Sequence, residues 1–178
     1  VLRAISAVYV WLIRGTPMLV QAFFVFYAIP QLVKVMTGTA FTLTPFAAGA
    51  ITLSLNAGAY ISEIFRGGIQ AVPKGQTEAA RSLGLSSAKT MLRVVLPQAF
   101  KIAIPSLVNQ FIITVKDTSI LSVIGLAEVV NRAKQYVGST YSFFATYVYV
   151  GALYLVVISL LMVLSRRIEK RMSYDRKG

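Results

Sequence analysis

Residues 78–97 read EAARSLGLSSAKTMLRVVLP. This stretch is polar and basic, and long uncharged runs flank it on both sides. Its internal order is Glu-Ala-Ala, three residues, Gly84, nine residues, the β-branched Val94, one residue more, and then Leu96-Pro97. The Thr77 hydroxyl is placed to cap a first short helix, Gly84 to end it in a left-handed turn, and Ser86 or Ser87 to cap a second helix. Ala79 and Ala80 keep one face of the first helix small, which lets another protein's surface approach its backbone. A helix–turn–helix of this kind between membrane spans reads as a docking element rather than a catalytic one.

The composition that surrounds it is that of a membrane protein. The chain has 178 residues, 56% hydrophobic and 13% charged, with a mean hydropathy of +0.69. Its length suits a single domain over 1–178. There is no Cys and no His, which removes disulfides, thiolate chemistry and the commonest general base and metal ligand. No cofactor or metal site is expected. A net charge of +12 suggests nucleic acid at first sight. The basic residues flank apolar runs instead of forming a stripe, so membrane lipid is the expected partner and nucleic acid is not.

Working outward, the chain opens VLRAISAVYVWLIRGTP without an initiator Met, as a fragment lacking an earlier segment would. Residues 1–14 carry Tyr9 and Trp11 as interfacial anchors and read as a helix at the headgroup level. Thr16 and Pro17 are suited to start the first span, MLVQAFFVFYAIPQLV, with Pro30 bending or ending it. A second span, TPFAAGAITLSLNAGAYIS, is rich in small residues and therefore packs against helices rather than lipid. Thr52, Asn56, Ala59 and Glu63 give it one polar stripe. A third segment opens at Pro105 and meets Lys116-Asp117 before a crossing is complete. It reads as a broken or re-entrant span that continues to Gly125, with Gln110, Thr114 and Asp117 on one face. Residues 126–141 form a polar, partly helical connection. A final span from Ser142 to Ser165 ends in a basic tail, 166–178.

Alternation of these spans puts Lys34, Arg132 and Lys134 on one side and leaves Lys116 in between. Every other Lys and Arg of the 18 falls on the opposite side. By the positive-inside rule the hairpin and the C-terminal tail are cytoplasmic.

Residues 78–97 resemble the EAA loop of permease subunits of bacterial ABC importers, with Val94 where that pattern usually has Ile. Three further stretches, RGTPMLVQAFFVFYAIP, AYISEIFRGGIQAVPKGQ and VNQFIITVKDTSILSVIG, are similar to the subfamily that imports polar amino acids. The resemblance covers nearly the whole chain. It implies an all-α integral membrane protein with the type I ABC importer permease fold, showing four transmembrane segments where the family has five, the first being absent. It also implies a multi-pass protein of the bacterial inner membrane, with a coupling loop at about 73–97. The expected partners are a second permease subunit, identical or related, a dimer of ATP-binding subunits and an extracytoplasmic substrate-binding protein. Closure of the ATPase dimer would pull on the coupling helices through Glu78, Ala79, Ala80, Arg81 and Gly84. The chain itself has no GxxxxGK[ST] phosphate loop, so it is expected to be a transporter subunit and not an enzyme.

Five residues are candidates for the substrate path. Asp117, Thr118 and Ser119 lie where ionisable groups are expensive in a membrane, although Lys116 and Asp117 also suit a structural pair. Thr52 and Asn56 offer donors and acceptors to the zwitterionic head of an amino acid, or else hydrogen bonds between helices. Glu63 suits an i,i+3 pair with Arg66. Arg81 also satisfies the positive-inside bias without any contact to an ATPase. The alternatives to an amino acid are another small solute, such as an opine or a sulfur compound, or a membrane enzyme that uses Asp117 and Glu63 as acid and base.

Overall fold

The computed structural model describes residues 1–174, with side chains to Arg167. The basic tail expected at 166–178 lies outside the described side chains beyond that point. Seven helical segments follow in order: α1 Leu2–Gly15, α2 Met18–Thr37, α3 Pro45–Gln70, α4 Lys74–Ser82, α5 Ser87–Ile124, α6 Val129–Thr140 and α7 Phe143–Tyr174. Among the described residues there is no strand.

Three of these, α2, α5 up to Ile124 and α7 up to Arg167, are long and apolar enough to cross a membrane. The second expected span exists as α3. It has 26 residues, roughly 39 Å at the usual rise, but its Gly, Ala, Ser, Thr and Asn keep it less apolar than the others. Large apolar side chains such as Leu32, Val35, Leu155 and Leu160 stand exposed on α2 and α7, an exterior suited to hydrocarbon.

Several local expectations are corrected. Thr16 does not cap α2, because its hydroxyl donates back to the Leu12 carbonyl at 2.8 Å. The residue ahead of α2 is Pro17 in an extended conformation. Pro30 does not end α2, which continues to Thr37, and it sits just after a π-helical turn, Phe24–Ala28. Pro105 lies inside a continuous helix, Leu96–Asp117. The irregular backbone comes later, as a 3-10 stretch Thr118–Ile124 that Gly125 closes at φ 81°. Proline removes one intrahelical hydrogen bond, but a long helix with packed neighbours absorbs that loss. Helix α5 therefore runs through the whole second half of the polar stretch, by way of a π-helical turn at Met91–Val95.

The chain divides into two compact units. The first comprises Val1–Ala59 and Ile112–Leu161. Its core is Ala22, Val25, Ala48, Leu121 and Ile124. Here the Tyr9 hydroxyl donates to the Leu55 carbonyl at 2.6 Å, and Gly58 leaves room for it, since an added Cβ would lie 2.9 Å from that oxygen. Tyr9 thus ties α1 to α3 and is not simply an interfacial anchor.

The second unit comprises Tyr60–Phe111 and the chain from Met162 onward. Val72, Val95 and Ala99 form its buried cluster. At the crossing of α3 and α5, a Cβ on Gly68 would lie 2.8 Å from the Ala99 carbonyl oxygen and 3.3 Å from the Ala103 Cβ. The obstacle is backbone and cannot swing away. Gly68→Ala should therefore cost about 1–3 kcal/mol and lower the melting temperature of the detergent-solubilised protein. Gly67→Ala, with nothing within 4 Å, should leave it unchanged or slightly raise it. Equal melting of the two variants would refute the close crossing.

Candidate functional site

Two groups of side chains stand out, one in each unit. In the second unit the hairpin has the shape expected from its sequence, with different caps. Helix α4 begins at Lys74 behind Pro73, so Thr77 lies inside it and caps nothing. Gly84 has φ +82°, the left-handed conformation in which a residue without a Cβ is unstrained. Ser86 is the second cap, its hydroxyl accepting from the Lys89 N–H at 3.4 Å. The Arg81 guanidinium donates to the Ser87 hydroxyl across the turn.

The expected small face of Ala79 and Ala80 is divided, because consecutive helical residues point about 100° apart. Ala79 is exposed while Ala80 is buried. Glu78, Arg81 and Gly84 are exposed as well. Leu83, beside Gly84, is a large apolar side chain left 84% exposed. Behind the hairpin lies a cleft of about 670 Å³ bordered by α3, α4 and α5. Thr90 lines it, only 1% exposed, and its hydroxyl has no hydrogen-bond partner. An unmet buried hydroxyl costs about 1–3 kcal/mol.

In the first unit the polar groups of the spans fall into two sets. The first centres on Gln21, buried in α2. Its Nε2 donates to the Ile13 carbonyl at 2.7 Å and is shared with the Thr16 carbonyl at 3.0 Å and the Thr16 hydroxyl at 2.9 Å. Its Oε1 accepts from Asn56 Nδ2 at 3.1 Å. Thr52, 1% exposed, donates to the Ala48 carbonyl at 2.8 Å. The Thr52 proton and one Asn56 N–H are thus engaged inside the bundle, and acceptor oxygens remain. Gln21 was not singled out from sequence. A carboxamide within an uncharged apolar run, shared only with Gln31, was the available signal.

The second set gathers at the 3-10 stretch. Thr118 donates to the Val115 carbonyl and Ser119 to that of Lys116, both at 2.7 Å. The Tyr154 hydroxyl has Thr118, Ser119 and Glu128 as hydrogen-bonding neighbours, the last at 3.5 Å. Glu128 also caps α6, accepting from the N–H groups of Val130 at 2.8 Å and Asn131 at 2.6 Å. Lys134 donates to Ser122 at 2.9 Å. Asp117 is half-buried and, among the described residues, forms no hydrogen bond or ion pair with Lys116. Tyr154 and Glu128 were missed because nothing in their local sequence marks them as neighbours of residue 118.

Glu63 is fully engaged elsewhere, accepting from Arg66 through both oxygens at 2.9 and 2.6 Å. Among the described residues no cluster of His, Cys, Asp and Glu could hold a metal.

Comparison with known proteins agrees with this architecture. The family described as binding-protein-dependent transport system inner membrane component matches residues 1–174. The chain is 42% identical over 173 residues to the L-cystine transport system permease protein TcyB of Bacillus subtilis, covering 96% of this chain and 70% of that protein. It is 38% identical over 168 residues to the arginine transport system permease protein ArtQ of the same organism, with 94% and 74% covered. Identity to the glutamine transport system permease protein GlnP of Escherichia coli is 37% over 168 residues, with 94% and 74% covered. A crystal structure of an amino acid ABC transporter with histidines superposes with a TM-score of 0.86 at 39% identity, over 93% of this chain and 74% of that one.

The carboxamide pair gives a test. Gln21→Leu and Asn56→Leu should each lower stability by about 1–2 kcal/mol. The double variant should lose clearly less than the sum, as seen in a double-mutant cycle on the detergent-solubilised protein. Strict additivity would show that the two side chains do not meet.

Proposed function

The chain belongs to the family of inner-membrane components of binding-protein-dependent transport systems, and from that premise we propose which of its residues carry each step. It is a multi-pass ABC importer permease subunit for polar amino acid uptake.

Coupling is assigned to the hairpin. Leu83 beside the Gly84 turn is the observation that supports this reading, since a large apolar side chain 84% exposed on a polar hairpin offers a contact that a docked subunit would bury. The partner proposed to cover it is the ATP-binding subunit, as the family's binding-protein-dependent transport implies, with hydrolysis taking place there. Glu78, Ala79, Arg81 and Gly84 form the rim of the contact, and Ala80 supports it from behind. The hairpin and the C-terminal tail face the cytoplasm. A second permease subunit completes the pathway, and an extracytoplasmic binding protein delivers the substrate. Both compact units belong to one permease domain over 1–178.

Substrate contact is assigned to Asp117, Thr118 and Ser119, with Tyr154 and Glu128 beside them. The three relatives are named for cystine, arginine and glutamine, which share only the zwitterionic head. Asp117, whose carboxylate feels the Lys116 charge without a hydrogen bond to it, holds the α-ammonium of that head, with the hydroxyls of Thr118 and Ser119 next in the chain. Thr52 and Asn56 contribute acceptor oxygens.

Because the chain has no Cys, Leu83→Cys introduces a single thiol. In the assembled transporter it should cross-link to the ATPase, and Leu83→Asp should reduce substrate-stimulated ATP hydrolysis in proteoliposomes at least tenfold. Wild-type hydrolysis and no cross-link would end the coupling assignment. Asp117→Asn should lower uptake of cystine, arginine and glutamine to a similar degree, with the complex still assembled. Unchanged uptake of all three would return Asp117 to a structural role.

A further inference from the structure

The cleft behind the hairpin has a chemistry of its own. Its polar border consists of Gln70, Lys74, Thr77, Arg81, Ser87 and Thr90, without a carboxylate among them. Arg81 is held in place by Ser87, and the Gln70 Oε1 accepts from Arg66 at 3.4 Å, which leaves the Gln70 amide N–H groups to donate. Lys74 and Thr77 make no hydrogen bond or ion pair among the described residues. Thr90 contributes a buried hydroxyl that no protein atom satisfies. Val72 and Val95 supply an apolar wall. Donors and two cations thus converge beside apolar surface, and the missing component is an acceptor carrying negative charge.

We propose that this cleft binds a small organic oxyanion, a phosphate or carboxylate head on a short apolar body, with Lys74 and Arg81 on the charge and Thr90 completing the contact. Such a ligand would sit between α4 and the start of α5 and stiffen the hairpin that carries Leu83. Its bearing on coupling rests on the docking assignment, whereas its binding does not. Two sources have this chemistry, a soluble phosphate ester or carboxylate and the headgroup of an anionic phospholipid.

The test uses the full chain in phosphatidylcholine nanodiscs without the ATPase, so the docking assignment cannot affect the result. Phenyl phosphate and benzoate are titrated by calorimetry. Saturable binding of at least one is expected, weakened about tenfold by Lys74→Gln and several-fold by the near-isosteric Thr90→Val, with both variants melting as folded protein. Replacing part of the lipid with phosphatidylglycerol distinguishes the sources. If the headgroup competes, apparent affinity falls in the wild type and not in Lys74→Gln; if the natural ligand is soluble, affinity is unchanged. No saturable binding up to about 20 mM, or equal affinity in wild type and both variants, would overturn the proposal.

Discussion

A backbone carbonyl at a helix end has no intrahelical partner, and in the first unit the buried Gln21 carboxamide takes that role. Helix α1 ends at Gly15, and the carbonyls of Ile13 and Thr16 lie where the ladder stops. The Gln21 amide reaches back to both while its oxygen holds Asn56 of α3. One side chain thus satisfies the end of one helix, the start of the next and the flank of a third. Leaving such groups buried and unpaired is costly. The Tyr9 contact to the Leu55 carbonyl reinforces the same α1–α3 link, and Gly58 makes it sterically possible.

The polar groups of the spans divide by whether they are used up. Gln21 and Asn56 hydrogen-bond each other, and Gln21 and Thr52 donate to backbone carbonyls, which leaves acceptor oxygens on Thr52 and Asn56. Asp117 forms no hydrogen bond among the described residues, and it stands where α5 changes from α to 3-10 geometry. The hydroxyls that follow it, Thr118 and Ser119, donate to the Val115 and Lys116 carbonyls and hold the 3-10 turn. In the second unit the same contrast separates Ala80, buried and structural, from Leu83, exposed and unpartnered.

Much of this was legible in the sequence. Uncharged runs marked the helices of the spans, the Gly84 turn followed from the Glu-Ala-Ala spacing, and Glu63–Arg66 followed from helical periodicity. The failures share one physical cause. Thr16, Thr77, Pro30 and Pro105 were read as local boundary signals, but packing and hydrogen bonds from distant residues decide whether a helix passes through such a position. Gln21, Tyr154 and Glu128 escaped for a related reason. Their roles depend on neighbours 35 positions away for Gln21 and 26 for Tyr154, which no local pattern encodes.

The π-helical turn at Met91–Val95 sets a condition on chain length. A wide turn holds one residue more than an α-helical lap, so everything after it is rotated by about 100° relative to an uninterrupted helix. That added residue is what brings Ala99 and Ala103 round to Gly68. Its five residues turn the chain by about the same angle as four residues of regular α-helix. Closing the turn into α geometry with all five residues kept would swing the small-residue seam away from α3, whereas closing it by loss of one residue would leave the seam facing Gly68.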